Sequence, residues 1–132
     1  MSMGLKDKHA FDVKRLRRSI GYASEGIRLA FSEPNFRFHC VFAAAVVMAG
    51  FFLSIARWEW IVVCMLIAGM LALEMINTAI EKTIDLMTGH YHPLAKAAKD
   101  LSAGAVLLYA CLSVIIGFLI FGPKIIDLFY KS

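Results

Sequence analysis

Four side chains able to do acid–base or cation chemistry recur at helical spacing beyond the middle of the chain: Glu74, Asn77, Glu81 and Asp85. At about 100° per residue, steps of three, four and four place them at roughly 0°, 300°, 340° and 20°, a stripe about 80° wide. The residues leading into that stripe, 60–73, are apolar and uncharged. Ionisable groups beside hydrocarbon are costly, so they must face protein, water, a cation or a substrate, and a functional site is the default reading.

Depth separates the roles open to these carboxylates. Glu33 lies where the first apolar run begins and Glu81 where the second ends, which puts both at about the same membrane level. Glu74 is two helical turns deeper, better placed for a substrate arriving through the bilayer. Hard cations suit such a surface, because Mg²⁺ takes oxygen ligands and is usually bound by one or two carboxylates together with substrate phosphates. Softer metal sites are disfavoured: Cys40, Cys64 and Cys111 sit singly in apolar runs as packing thiols, and His90 and His92 stand in a loop without further ligands. Lys82 reads as solvated. The stretch from Gly117 to Lys124 imitates a P-loop only superficially, since Pro123 separates Gly122 from Lys124 and no Ser or Thr follows. Neither a protein-kinase glycine loop nor its catalytic-loop signature occurs.

The elements that must position these residues are membrane helices. The chain has 132 residues, 60% of them hydrophobic, and only three prolines. Residues 40–56 and 101–121 are uncharged runs, and 60–73 continue into the acidic stripe, so three spans is the simplest count. Trp58 and Trp60 mark an external turn at 57–60, and 88–93 supply a helix stop, a loop and a restart. Gly122-Pro123 is expected to end the third span. Leu16, Ile20, Ala23, Ile27 and Phe31 form one apolar face of a helix over residues 11–31, opposite Lys14, Arg18, Glu25 and Arg28, which is the pattern of an interfacial helix. Pro34 should stop it. The basic N-terminal segment precedes an amphipathic helix rather than a short apolar core, so no cleavable signal peptide is expected.

The expected architecture is an all-α membrane protein: one domain over residues 1–132, an interfacial region at 1–34, membrane helices at about 36–56, 58–87 and 97–121, and an external tail at 122–132. Eight of the 14 Lys and Arg precede the first span and three lie between residues 82 and 99. By the positive-inside rule the N-terminus and the 88–93 loop are cytoplasmic and the C-terminus is external, as in a multi-pass protein of the cell membrane. The net charge of +4 suits anionic headgroups, and nucleic acid is not an expected partner because the basic residues flank spans. Ala103, Ala110 and Gly117 recur every seven residues as a small-residue seam for close helix contact. Three helices cannot easily enclose both that seam and an acidic face, so a homo-oligomer is expected.

Two classes of function fit the stripe. One is an enzyme acting on a lipid at the cytosolic surface; the other is a small channel or transporter subunit using the carboxylates as an ion path, unless they form only a polar packing seam. Transport carboxylates tend to lie near the bilayer midplane. Here Glu81, Asp85, Lys99 and Asp100 fall at or beyond the boundary, and no acidic residue lies within the first or third apolar run. A continuous ion path is therefore hard to draw.

With Lys99-Asp100 following the Glu74–Asp85 motif, the sequence resembles the small prokaryotic diacylglycerol kinase family. The likeness runs from Arg15 through Gly21-Tyr22, Gly26, Glu33-Pro34-Asn35-Phe36-Arg37 and the three spans to the segment from His92 to Asp100. His39 and the run after His92 are more similar to the Gram-positive branch, whose members resemble undecaprenol kinases. The resemblance implies a homotrimer, ATP as phosphoryl donor, Mg²⁺, and a lipid alcohol as acceptor, with undecaprenol expected first and diacylglycerol second. It further implies that Glu74 is the general base and that Glu33 and Glu81 are metal ligands. Arg15, Tyr22, Glu33, Glu81, His90, Tyr91, His92, Lys99 and Asp100 match nucleotide-contacting positions. Glu74, Asn77, Asn35, Phe36 and Arg37 match positions close to the lipid.

Overall fold

The computed structural model describes residues 5–130, with side chains from residue 13 onward. The outermost parts of the expected 1–34 and 122–132 regions, residues 1–4 and 131–132, lie outside the described residues. Four helices follow one another: α1 (Leu5–Ala30), α2 (Pro34–Phe52), α3 (Arg57–Met87) and α4 (Pro93–Tyr130). The last three are long and apolar enough to cross a membrane. With a rise of about 1.5 Å per residue, the 19 residues of α2 span roughly 28 Å and the 31 of α3 roughly 46 Å, so α3 overshoots the hydrocarbon.

α2 and α4 both pack on α3, which is the spine of the unit; α1 also touches α3. The α1–α2 joint is only residues 31–33. Pro34 works as a starter rather than a stop: α1 has already ended at Ala30, and Pro34 takes the first turn of α2, where a missing N–H costs nothing. Glu33 is left extended, as a residue before proline should be. Across the joint, the Phe31 ring meets Phe36 edge-on at 5.2 Å.

At the opposite end, the α2–α3 turn is made by residues 53–56, four positions earlier than the tryptophans suggest. Ser54 takes a positive φ of 50° to close it. Arg57-Trp58-Glu59-Trp60 is instead the first turn of α3, because Glu59 accepts a hydrogen bond from the Ala56 backbone N–H at 2.6 Å and so caps the helix. The Trp60 indole lies over Gly50 and beside the Phe51 ring at 4.7 Å; a Cβ at position 50 would come within 2.9 Å of the indole. Ile55, Val63 and Ile120 bury one another nearby, with Val46, Trp60 and Ile116 packed around them.

α4 corrects two expectations. It starts at Pro93 rather than near residue 97, and it continues through Gly122-Pro123 to Tyr130. Pro123 removes one backbone donor, but Ile120 is anchored in the apolar cluster and the Lys124 ammonium bonds Glu59 of α3 at 3.0 Å, so the helix is held on both sides of the proline. Within the single chain the small-residue seam is open at Gly117, where a Cβ would meet nothing within 4 Å. The close approach is at Gly69 of α3, where the Tyr109 hydroxyl occupies the space of a Cβ and donates to the Met65 carbonyl at 3.1 Å. The cysteines are less enclosed than expected, with Cys40 half-buried and Cys64 and Cys111 exposed on the single chain.

Candidate functional site

The stripe read from the sequence survives folding, and its deepest members are its most enclosed. Glu74 is 3% exposed and Asn77 6% exposed, the two buried polar residues of this half of α3. α2 runs past Glu74 and sets His39 opposite it, with His39 Nε2 4.0 Å from Glu74 Oε2. That separation is beyond hydrogen-bond reach. A carboxylate enclosed among apolar helices without a close cationic partner is costly, which is the signature of a group kept for chemistry rather than for stability. One turn further, Asn77 donates through Nδ2 to Glu81 Oε1 at 3.1 Å, and its Oδ1 is buried without a partner. An orphaned buried amide oxygen is an unmet acceptor, of the kind that calls for an explanation beyond packing.

Nearer the helix end the charges pair across elements. Glu33, at the start of α2, accepts from the Lys82 ammonium at 2.7 Å, which puts Glu33 beside the residue that follows Glu81. Lys82 is therefore a partner, not merely solvated, although its side chain stays 65% exposed. Glu33 offers no side-chain cap to α2 because its carboxylate is turned to Lys82. Asp85 pairs with Lys99, and Asp100 pairs with Lys96 one turn away on α4. Among the described residues no three Asp, Glu, His or Cys side chains converge as a ready-made metal centre. Two carboxylates at one level, one already holding a cationic group, are nonetheless the donor set expected of a hard divalent ion that keeps most of its shell for phosphates and water.

The remaining positions are less gathered. His92 Nδ1 accepts from the Leu94 N–H at 3.2 Å and so caps α4, while His90 exchanges hydrogen bonds with Thr88 in the loop, its N–H donating at 3.3 Å. Tyr91 is exposed. On α1, Arg15 and Tyr22 are exposed, and no hydrogen bond or ion pair among the described residues joins them to the loop or to Lys99 and Asp100. On α2, Asn35 and Arg37 are exposed, whereas Phe36 is 4% exposed and serves packing. Sequence reasoning did not place His39 or Lys82 in the site. His39 follows Asn35-Phe36-Arg37 by two residues, one helical turn from Asn35, and that periodicity was the available signal.

Lined at one end by His39, a cleft of about 710 Å³ opens between α2, α3 and α4, since α2 and α4 meet α3 but hardly each other. Its walls are apolar side chains such as Phe42, Val63, Met70 and Phe118, and its one titratable lining residue is His39.

Comparison with known proteins identifies the family. The profile of the prokaryotic diacylglycerol kinase family matches residues 21–121. The chain is 48% identical over 124 residues to the undecaprenol kinase of Bacillus subtilis (strain 168), covering 93% of this chain and 100% of that protein. It is 39% identical over 124 residues to a diacylglycerol kinase of Synechocystis sp., covering 92% of this chain and 71% of the relative. A Helicobacter pylori (strain ATCC 700392 / 26695) diacylglycerol kinase is 32% identical over 122 residues, with 89% and 90% covered. These likenesses decide for the lipid-directed enzyme over an ion path. With a family profile spanning the joint, the acidic stripe and most of α4, and relatives matched nearly end to end, the chain belongs to the prokaryotic diacylglycerol kinase family of membrane lipid kinases.

Proposed function

We propose that the chain transfers the γ-phosphoryl group of ATP to the hydroxyl of undecaprenol, working as a homotrimer at the cytosolic face of the cell membrane, with the N-terminus inside and the C-terminus outside. The observation that carries the chemistry is Glu74, a carboxylate 3% exposed on a span-capable helix, two turns from the level of Glu33 and Glu81. At that depth it meets an alcohol at the interface before bulk water does.

In the reaction the alcohol oxygen forms a bond to the γ-phosphorus, the bond from that phosphorus to the β-bridging oxygen breaks, and the leaving electron pair departs on ADP. Glu74 accepts the hydroxyl proton as the oxygen attacks. Phosphoryl transfer needs positioning and charge neutralisation more than covalent help, and general-base assistance adds typically ~10²–10⁴-fold. Glu33 and Glu81 would hold magnesium, which when bound would neutralise phosphate charge. Lys99 and Asp100, with Arg15, Tyr22 and the His90-Tyr91-His92 loop, contact the nucleotide. Asn77, Asn35, Phe36 and Arg37 border the lipid.

An oligomer is supported by what one chain leaves open: a Cβ on Gly117 would meet nothing within 4 Å. An interfacial, amphipathic α1 is supported by Leu16, Ile20 and Ile27, all about half exposed on the single chain. The acceptor follows the near full-length likeness to an undecaprenol kinase. Diacylglycerol is the second reading, favoured by the names of the Synechocystis and Helicobacter relatives. Purified protein in vesicles with magnesium and labelled ATP should phosphorylate undecaprenol with kcat/KM at least about tenfold above a diacylglycerol, and chelating the magnesium should reduce turnover to background. Equal or better use of diacylglycerol would reverse the order of the two acceptors; no transfer to either would end the reading.

A further inference from the structure

The 4.0 Å between His39 Nε2 and Glu74 Oε2 is too long for a direct hydrogen bond but short enough for a single oxygen to bridge the two groups. An oxygen about 2.8 Å from each closes the gap with an angle near 90° at that oxygen, close to what an alcohol tolerates when it donates to one neighbour and accepts from the other. We propose that His39 and Glu74 together seat the acceptor hydroxyl, which donates its proton to Glu74 and accepts a hydrogen bond from His39 Nε2–H. This rests on the lipid-kinase reading above and adds a residue to it.

The orientation follows from counting. An alcohol oxygen carries one hydrogen and two lone pairs. Glu74 takes the hydrogen and His39 engages one lone pair, so the second lone pair is the one direction left for the phosphorus. Fixing two of three directions converts a freely rotating hydroxyl into an aimed nucleophile. Access is consistent: Glu74 is sealed at 4% of its side chain, whereas His39 keeps 20% of its side chain open and lines the apolar cleft between α2, α3 and α4. A lipid lying against that cleft reaches the pair from the His39 side. The ring itself is steadied by the Phe38 ring, edge-on at 5.6 Å.

The test compares His39→Phe with His39→Gln, whose terminal amide can still present an N–H near the same place. Both are purified and assayed with magnesium, ATP and undecaprenol in vesicles beside the unsubstituted protein. His39→Phe is expected to lose about 10- to 100-fold in kcat/KM for the alcohol while KM for ATP is unchanged, and His39→Gln to recover most of that loss. Normal alcohol kinetics in His39→Phe, an equal loss in both variants, or a parallel rise in the ATP KM would overturn the assignment. Such outcomes leave the kinase reading standing, because the unsubstituted protein is active in the same assay; inactivity of that protein is what would remove both.

Discussion

The two ends of α3 are built on opposite terms. At the turn end, Glu59 has every demand met inside one chain: it caps Ala56, binds Lys124 across to α4, and sits beside the Ile55–Val63–Ile120 cluster and the Trp60–Gly50 contact. From Glu74, just past mid-helix, to the joint end, Glu74 has His39 just out of reach, Asn77 Oδ1 has no partner, and the ion pairs of Glu33, Asp85 and Asp100 are largely exposed. Both halves of α3 carry a buried glutamate, so burial alone does not distinguish structure from chemistry. Satisfaction does: the partners of Glu59 are complete within one chain, whereas Glu74 and Asn77 are left with unmet groups, as the proposed chemistry requires.

Substitutions should split along that line. The largest effect belongs to Glu81→Gln, which should remove nearly all turnover by weakening the grip on the cation, with a normal unfolding temperature in detergent. Glu74→Gln should lower kcat by about 10²–10⁴-fold, no more than Glu81→Gln, and again leave stability intact. Near-normal turnover by either variant would remove that residue from its role. Gly69→Ala acts midway along α3, where the added methyl meets the Tyr109 hydroxyl; a loss of about 1–3 kcal/mol in stability is expected. Glu59→Gln should lower the unfolding temperature by loosening the α3 cap and the Lys124 contact, while kcat per folded molecule stays the same. Reduced kcat there with unchanged stability would erase the contrast between the ends. The smallest change is a gain: Ser54→Gly should stabilise the turn by about 0.5–1 kcal/mol, because glycine accepts the positive φ without a Cβ penalty.

How far the sequence went can be seen residue by residue. Glu74, Asn77, Glu81 and Asp85 were visible as one stripe because helical periodicity and membrane cost are local properties. The three span-capable helices were visible for the same reason. Boundaries were less so. Trp58 and Trp60 suggested a turn through their interfacial preference, but Glu59 capping Ala56 made them helical. Gly122-Pro123 suggested a stop, but the long-range Lys124–Glu59 contact overrode it. His39 and Lys82 gained their places only when α2 was laid against α3, a pairing that no local pattern encodes.

The most direct test is the turnover of Glu74→Gln in magnesium-containing vesicles, measured as labelled phosphate passing from ATP to undecaprenol and compared with Glu59→Gln under the same conditions. The account predicts that the Glu74 variant folds normally and is nearly inactive while the Glu59 variant is active but less stable. A Glu74 variant that phosphorylates the alcohol at the unsubstituted rate would contradict it.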